Sequence, residues 1–228
     1  MKLHPVFAAV LALASAVSVK ALTVNAYDAY TLSYDESTSF GLTGFSFNGG
    51  GGTTGFGWNV DTSVTVTSFG PASAAAFMLP SFTISVNPGW ALSGPVDGFL
   101  GNLVFNEVGL GAGTSATASG MVSIDGSPAV AFGGALTKVP TTVVPGYTGG
   151  YFVGSGSVAA GSFSSFTFSG GSLALTAAGG AFSSIIGQSQ NTLSFGLIAT
   201  PVPEPETSAL LVAGLLTLGS LARRRSPG

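Results

Sequence analysis

Short runs of alternating apolar and polar residues, separated by clusters of glycine, most restrict what this chain can fold into. In Ser81–Asn87, for example, Phe82, Ile84 and Val86 alternate with serine, threonine and asparagine. Successive side chains of a β-strand point to opposite faces of a sheet, so a period of two predicts a strand with one buried face. No capped stripe of helical period occurs between residues 22 and 200.

The same strand pattern recurs along this body. Ser63–Thr67 and Leu193–Leu197 alternate strictly, and Phe163–Phe168 does so less regularly. Further candidate strands, rich in residues that favour sheets, are Leu22–Leu32, Phe40–Phe47, Phe99–Val108, Ala116–Ile124, Ala129–Phe132, Gly150–Ser157 and Ser172–Thr176. Ala72–Leu79 is instead compatible with a short helical turn.

Turn signals separate these runs. The glycine clusters are Gly49–Gly52, Gly133-Gly134, Gly149-Gly150, Gly170-Gly171 and Gly179-Gly180. Asp125-Gly126-Ser127-Pro128 between two candidate strands predicts a hairpin with a four-residue loop. Many short strands with frequent turns predict an all-β fold over residues 22–200, an antiparallel β-sandwich or jelly roll. The body holds sixteen of the 17 phenylalanines, enough aromatic surface for a core and too much for a disordered chain.

The charge and residue inventory excludes several classes of function. Residues 22–200 hold seven acids and one base, Lys138, so the net charge of the body is −6. Such a surface repels DNA and RNA, and we expect no nucleic-acid partner. The chain has no cysteine, and its single histidine, His4, precedes the body. Thiol catalysis, Ser-His-Asp hydrolysis and zinc sites with these ligands are therefore excluded, and no catalytic residue, metal ligand or cofactor is assigned.

Chemistry by acids alone stays open as an alternative. The acids of the body are Asp28, Asp35, Glu36, Asp61, Asp97, Glu107 and Asp125. A glycoside hydrolase needs two carboxylates that face each other across one sugar. No such pair can be named, since Glu107 ends a candidate strand and Asp97 is expected in a turn. Turn acids can also bind calcium, although no Asp-x-Asp-x-Asp spacing occurs. Gly49–Gly52 and Gly109–Gly113 lack the Gly-Lys-Ser/Thr of a phosphate loop, so hairpin turns explain them better.

Aromatic residues offer a second alternative, the binding of sugars by stacking. The tryptophans and tyrosines of the body are Trp58, Trp90, Tyr27, Tyr30, Tyr34, Tyr147 and Tyr151. A β-sandwich commonly carries such binding faces. The competing interpretation, which we favour for both tryptophans, is that these rings belong to the core.

The N-terminus has the layout of a secretory signal. Lys2 supplies a basic start, and the uncharged apolar stretch Val6–Val19 follows. Val19-Lys20-Ala21 places small or apolar residues where signal peptidase reads them, with Ala14-Ser15-Ala16 as an alternative site. We therefore expect residues 1–21 to form a signal helix that is removed after Ala21.

The C-terminus combines three further features. Val202-Pro203-Glu204-Pro205 begins an extended, proline-rich approach. Thr207–Ala222 then runs for 16 residues without a charge, about 24 Å as a helix against a hydrocarbon core about 30 Å thick. Arg223-Arg224-Arg225 follow, and such a cluster stays on the cytoplasmic side. These features predict a single, short C-terminal transmembrane helix within residues 201–228.

Together, the Pro203-Glu204-Pro205 motif, the apolar helix and the terminal arginines resemble the PEP-CTERM sorting signal of Gram-negative bacteria. The resemblance covers residues 201–228 and the signal peptide. It implies export through the Sec translocon, transient attachment to the inner membrane, and processing near the motif by exosortase, a membrane-embedded cysteine protease or transpeptidase. It also implies a bacterium that makes exopolysaccharide. Because members of this family share the tail and differ in the body, the resemblance assigns no activity to residues 22–200.

The sequence thus predicts an exported, non-enzymatic protein of the cell surface or extracellular matrix. Its tail is expected to contain a sorting signal and a processing site. Exosortase, the Sec translocon and signal peptidase are the expected partners of the protein. A carbohydrate-binding module for exopolysaccharide and an acid-only glycoside hydrolase are the alternatives. An exposed row of aromatic rings favours the first alternative, and two acids that face each other in a cleft favour the second.

Overall fold

The structure is a computed structural model that describes residues 22–35, 40, 43–48, 52–60, 63–188, 193–203 and 210–217. The predicted signal peptide, residues 1–21 with its cut after Ala21, lies outside these ranges. So do Glu204 and Pro205 of the sorting motif and the basic cluster Arg223-Arg224-Arg225.

Strands make up almost all of the described body, as the alternating sequence pattern predicts. In chain order they are β1 (Leu22–Ala26), β2 (Tyr30–Asp35), β3 (Thr43–Asn48), β4 (Thr53–Trp58), β5 (Thr65–Met78), β6 (Phe82–Val86), β7 (Trp90–Val108), β8 (Gly113–Ile124), β9 (Val130–Ala135), β10 (Thr137–Val144), β11 (Tyr147–Val158), β12 (Ser162–Phe163), β13 (Ser165–Gly187) and β14 (Leu193–Pro201). Every described strand pair is antiparallel, so the predicted all-β antiparallel class is confirmed.

These strands form one sheet, whose main path runs β1-β2-β6-β13-β7-β14-β4-β3. Strands β5, β8 and β9 branch from β13, and β10, β11 and β12 branch from β7. The sheet folds over on itself. Phe82 on β6 and Phe195 on β14 are three strands apart along the path, about 14 Å in a flat sheet, yet their ring centroids lie 4.7 Å apart.

The folded sheet therefore has two facing layers with the core between them. Layer A contains β1, β2, β5, β6, β8, β9 and the first part of β13. Layer B contains β3, β4, β10, β11, β12, β14 and the first part of β7. The ends of β7 and β13 pair with each other, from Phe182↔Val108 to Gly187↔Leu103, and join the layers. The structure is thus not a sandwich of two separate sheets, because one continuous antiparallel sheet curls over on itself.

Glycine clusters inside β13 explain how one strand can serve both layers. The sequence predicts turns at Gly170-Gly171 and Gly179-Gly180, but the chain remains in β13 through both. Gly170, Gly179 and Gly180 have positive φ values, where glycine is favoured. The pairing register with β8 shifts between Ser169 and Ser172, and the register with β5 shifts around Gly179. These clusters are β-bulges that bend a strand of 23 residues, and the predicted turns there are wrong.

Two other local predictions have clear outcomes. The predicted helical turn at Ala72–Leu79 is wrong, because Ala72 to Met78 lie in β5 and pair with β13. The predicted hairpin at Asp125-Gly126-Ser127-Pro128 is confirmed: β8 and β9 flank it, and the Ser127 N–H donates to the Ile124 carbonyl at 2.9 Å. Strands β4 and β10 lie outside the predicted strand segments.

The core is aromatic, as the phenylalanine content predicts. Phe56, Trp58, Phe82, Phe166 and Phe195 are at most 3% exposed. Phe56 contacts Trp58 and Phe82 edge to face, at centroid distances of 5.3 and 5.2 Å. Because these rings come from both layers, their contacts fix how the layers are spaced and aligned.

The described part of the tail contains a helix, α1, over residues 210–217. The sequence predicts a helix over Thr207–Ala222, and residues 207–209 and 218–222 lie outside the described ranges. Within those ranges, no helix has both the length and the apolar character needed to cross a membrane. The predicted transmembrane helix is therefore not supported by the described residues.

Candidate functional site

The junction between body and tail lies where β14 ends. β14 is an interior strand that pairs with both β4 and β7, and its last register pair is Pro201↔Trp90. One residue further, the Val202 N–H donates to the Gly89 carbonyl at 2.8 Å. Proline has no N–H, so Pro203 cannot extend this ladder. The hydrogen-bonded body therefore ends at the first residue of the predicted sorting motif.

The junction is accessible. Val202 is 47% exposed, and Pro201 and Pro203 are exposed as well. Along β14 the alternation of buried and half-buried residues stops after Ala199, so the last core contact precedes the motif. An extended, exposed backbone with prolines is a form that a protease can bind without unfolding the body.

Helix α1 also leaves large apolar side chains in contact with solvent. Leu210, Leu211, Val212, Leu215 and Leu216 are each more than half exposed. A short helix whose apolar residues face outward has not buried them against the body. Its surface is thus available for a membrane or a partner.

Glu107 forms an ion pair with Lys138, the one base of the body. The Thr114 hydroxyl donates to the same carboxylate oxygen, Oε1, at 2.8 Å, and Lys138 Nζ lies 4.5 Å from the centroid of the Phe105 ring. Glu107 is 8% exposed. Because Thr114 belongs to layer A, Lys138 to layer B and Glu107 to the segment of β7 that joins them, these contacts tie the two layers together.

Among the described residues, no cluster of acids forms around Glu107. Asp97, expected in a turn, lies in the middle of β7, ten residues from Glu107 and about 30 Å away along the strand. A glycoside hydrolase needs carboxylates roughly 5–10 Å apart, so these two cannot act together. Asp28 and Asp125 are exposed, Asp35 is buried, and Glu36 and Asp61 lie outside the described ranges. In the described part of the chain, no three acids or histidines form a group that could hold a metal ion.

Asp125 has a structural contact instead. Its side-chain oxygen Oδ1 accepts from the backbone N–H groups of Ser164 and Ser165, both at 2.8 Å. Its φ of 50° lies in the left-handed region that a hairpin turn requires. Asp125 thus fastens the β8–β9 turn to the start of β13.

Most of the tyrosines and tryptophans considered for sugar stacking lie in the core. Trp58, Tyr30 and Tyr34 are at most 2% exposed, and Trp90 packs half-buried against them and their neighbours. The prediction that Trp58 belongs to the core is therefore confirmed. Trp58, Tyr30 and Tyr34 are too deeply buried to stack on a sugar. Neither the Tyr30 hydroxyl nor the Trp58 Nε1 makes a hydrogen bond of normal geometry to a described residue. Burial raises the pKa of Tyr30 well above its ordinary value, and the nearby Thr54 hydroxyl lowers it by less.

Three of the exposed aromatic rings lie on layer B. Phe47, Phe99 and Tyr151 are each 38% exposed, on β3, β7 and β11 of layer B. Of these, only Tyr151 was among the sequence candidates for stacking. A sequence signal does exist for Phe99, because glycine follows it two positions later and gives the ring room to lie against the sheet. Tyr147 and Gly149 repeat that spacing.

A cavity of about 350 Å³ opens between the layers, where β8 and β9 face β7 and β11. Phe132 on β9 reaches across and packs over Gly98 and Gly156, which are register partners. Leu136 packs over Gly154 in the same way. No acid or base belongs to the described lining of this cavity, which therefore offers apolar contact and hydroxyls but no proton donor or acceptor for catalysis.

Comparison with known proteins adds little to this geometry. No protein-family model matches the chain, and no curated protein does. Among solved structures, the chain is similar to a loop-swap mutant of Xyn11A from Necallimastix patriciarum, at 10% identity over 78% of this chain and 92% of that one, with a TM-score of 0.17. A TM-score this low carries no argument about fold or function.

Proposed function

We propose that the protein is an exported, non-enzymatic surface or matrix protein whose β-sandwich-like body is delivered and released through its C-terminal signal. The observation that carries the proposal is the position of the junction. The last backbone hydrogen bond of the body, Val202 N–H to Gly89, lies directly before the Pro-Glu-Pro motif. Cleavage at the motif would therefore leave every strand intact.

The exposed apolar residues of α1 support an attachment that is separate from the body. In this proposal the segment 207–222 associates with the inner membrane, and the arginines at 223–225 remain on its cytoplasmic side. A stretch of 16 residues is short for a permanent span, which suits a temporary one. Exosortase is the proposed processing partner, after export through the Sec translocon and removal of residues 1–21 by signal peptidase.

The arrangement of acids gives no support to the hydrolase alternative. Glu107, one of the two described carboxylates that are buried, is occupied by Lys138 and Thr114, and Asp97 is too distant to act with it. A surface or matrix role needs none of this chemistry. It needs a stable body without histidine or cysteine reactivity, which the sequence provides.

Cell fractionation of three chains tests the proposal in a bacterium that carries exosortase. The full chain is expected in the surface or medium fraction. A chain that lacks residues 203–228 is expected to be released without any membrane-attached stage. A chain with Pro203→Ala, Glu204→Ala and Pro205→Ala keeps the apolar segment but loses the motif, so it is expected to accumulate at the membrane.

Mass spectrometry of the mature C-terminus supplies the decisive measurement. The expected product ends near the motif, between Val202 and Glu206. A mature chain that ends at Gly228, or a motif variant that is processed like the full chain, would overturn the proposal. A truncated chain that stays bound to the membrane would show that the anchor lies elsewhere.

A further inference from the structure

The outer surface of layer B carries a row of aromatic rings that the tail does not explain. Phe56 and Phe195 are paired and buried, so their neighbours along β4 and β14 point to the opposite, outer face. Phe47 on β3 is the register partner of Gly55 on β4, and Gly55 is in turn the partner of Gly196 on β14. It therefore places Phe47 on this outer face.

Phe99 belongs to the same face, one row further along the strands. The register pairs it with Ser194 on β14 and with Ser155 on β11. Tyr151 lies four residues from Ser155 on β11, opposite Val104, and is exposed to the same extent as Phe99. Three exposed rings thus follow a diagonal from β3 across β7 to β11.

Two of these rings lie flat against the sheet because each covers a glycine, which has no side chain. A Cβ at Gly55 would collide with the ring of Phe47, and a Cβ at Gly101 would lie 2.6 Å from Cζ of Phe99. The rings therefore lie over the backbone, where a side chain would otherwise stand. One ring face packs on the sheet and the other can receive a ligand, which limits the entropy lost on binding.

The distances between rings indicate an extended ligand. Phe47 and Phe99 are three strands and two residues apart, about 16 Å with ordinary sheet spacings. Four residues of β11 separate Tyr151 from the row of Phe99, about 13 Å more. A small molecule cannot span such gaps, but a polymer in an extended conformation can touch all three rings.

The chemistry between the rings is neutral and polar. The path crosses Gly55, Gly196, Ser194 and Ser155, and Asp97 is its one charged neighbour among the described residues. Lys138, the base of the body, is held by Glu107 between the layers and does not reach this face. A polyanion would find a carboxylate here and no described cation, so the face suits an uncharged polymer.

The spacing also argues against a protein or a lipid bilayer as the ligand. Protein interfaces have a contiguous apolar centre that excludes water, and here glycine and serine interrupt the rings. Membrane-surface binding needs clustered apolar residues with basic neighbours, which this path lacks. The C–H faces of sugar rings, in contrast, stack on separate aromatic faces while their hydroxyls bond to serines and water.

We propose that the outer face of layer B, through Phe47, Phe99 and Tyr151, binds an extended, uncharged polysaccharide. The proposal concerns the body and does not depend on how the tail is processed. Each ring contributes a separate stacking site, so affinity comes from several weak contacts along one chain.

Co-sedimentation of the full chain with insoluble neutral glucans tests this proposal. The probes are microcrystalline cellulose and a (1→3)-β-glucan, with soluble alginate as the polyanion in native affinity gels. The chain is kept in a polyoxyethylene detergent, which has no sugar headgroup to compete. We expect retention by at least one neutral glucan and none by alginate. Tyr151→Ala should weaken retention about tenfold, since one lost aromatic contact is worth about 1.4 kcal/mol.

Matched variants separate ring loss from misfolding. Tyr151→Phe keeps the ring and should retain binding, and Phe69→Ala removes an aromatic side chain that is 75% exposed elsewhere, on β5. Combining Phe47→Ala, Phe99→Ala and Tyr151→Ala should abolish retention. Thermal unfolding checks that each variant is folded. Tyr151→Ala tests the loss of a ring by itself, because the Tyr151 ring does not cover a glycine. Failure to bind either glucan, retention by alginate instead, or retention unchanged in folded Tyr151→Ala would each overturn the proposal.

Discussion

The ion pair between Glu107 and Lys138 makes a quantitative prediction about stability. Glu107 is 8% exposed, whereas the side chain of Lys138 is 31% exposed. In Lys138→Met, the buried carboxylate keeps the Thr114 hydroxyl but loses its counter-charge. Breaking a fully buried pair costs about 3–5 kcal/mol and breaking a surface pair at most about 1. For this half-covered pair we expect a loss of about 2 kcal/mol.

The two partners should not be equivalent. In Glu107→Gln, the amide oxygen can still accept from Thr114, and the released ammonium can turn to water because it is already partly exposed. We therefore expect a loss of about 1 kcal/mol, less than for Lys138→Met. Combining Glu107→Leu with Lys138→Met removes both charges and should recover part of the loss.

Urea unfolding, followed by the fluorescence of the buried Trp58, measures these differences. Trp58 is fully buried, so its indole emission should shift strongly when the layers separate. The single and double variants form a cycle whose coupling energy isolates the pair. Our reasoning about burial is refuted if Lys138→Met unfolds at the same urea concentration as the parent, or if Glu107→Gln is the more costly change.

Three further predictions follow from other contacts. Tyr30→Phe removes a buried hydroxyl without a normal hydrogen bond, so the free energy of unfolding should stay equal or rise by about 1 kcal/mol. Because the pKa of Tyr30 is raised in the folded state, the parent should lose stability as the pH rises past about 10. In pH-dependent melts the variant should lose less. Gly156→Ala should cost about 1–3 kcal/mol in urea unfolding, since its Cβ would lie 2.7 Å from the Phe132 ring, while Gly134→Ala, which meets no atom within 4 Å, should be neutral. A chain that ends at Pro203 should melt like the full chain. A chain that ends at Leu197 lacks four register pairs with β7 and the Val202 hydrogen bond, so it should not melt cooperatively.

Local patterning was sufficient to predict the class of fold. Period-two runs such as Phe82–Val86 became strands because one face could be buried and the other could not. The extent of β7 and β13 could not be predicted in this way. Glycine favours both turns and bulges, and only the neighbouring strands decide which forms. At Gly179, pairing with Gly70 on β5, and pairing of the preceding Ala178 with Gly113 on β8, keep the chain in one strand.

The candidate sites show a similar division. The sorting motif could be predicted from sequence because its residues are consecutive, and the fold places Val202 at the end of the described body. The aromatic face was missed because its members come from three distant segments. Phe47, Phe99 and Tyr151 share a surface only through the pairing of β3, β4, β14, β7 and β11. Apart from the glycine two residues after Phe99, no local pattern separates these exposed rings from the buried Phe56.

The location of β14 has a consequence for the order of events in the cell. This last strand of the body inserts between β7 and β4, so the partner of Trp58 is Leu193, far along the chain. Until residues 193–201 have been made, the β3–β4 hairpin has no other strand of the main path to join. This side of the sheet thus cannot be completed until synthesis of the body is nearly finished. The proposed sorting motif begins one residue beyond β14, so the strand that completes the sheet and the proposed release signal are made almost together.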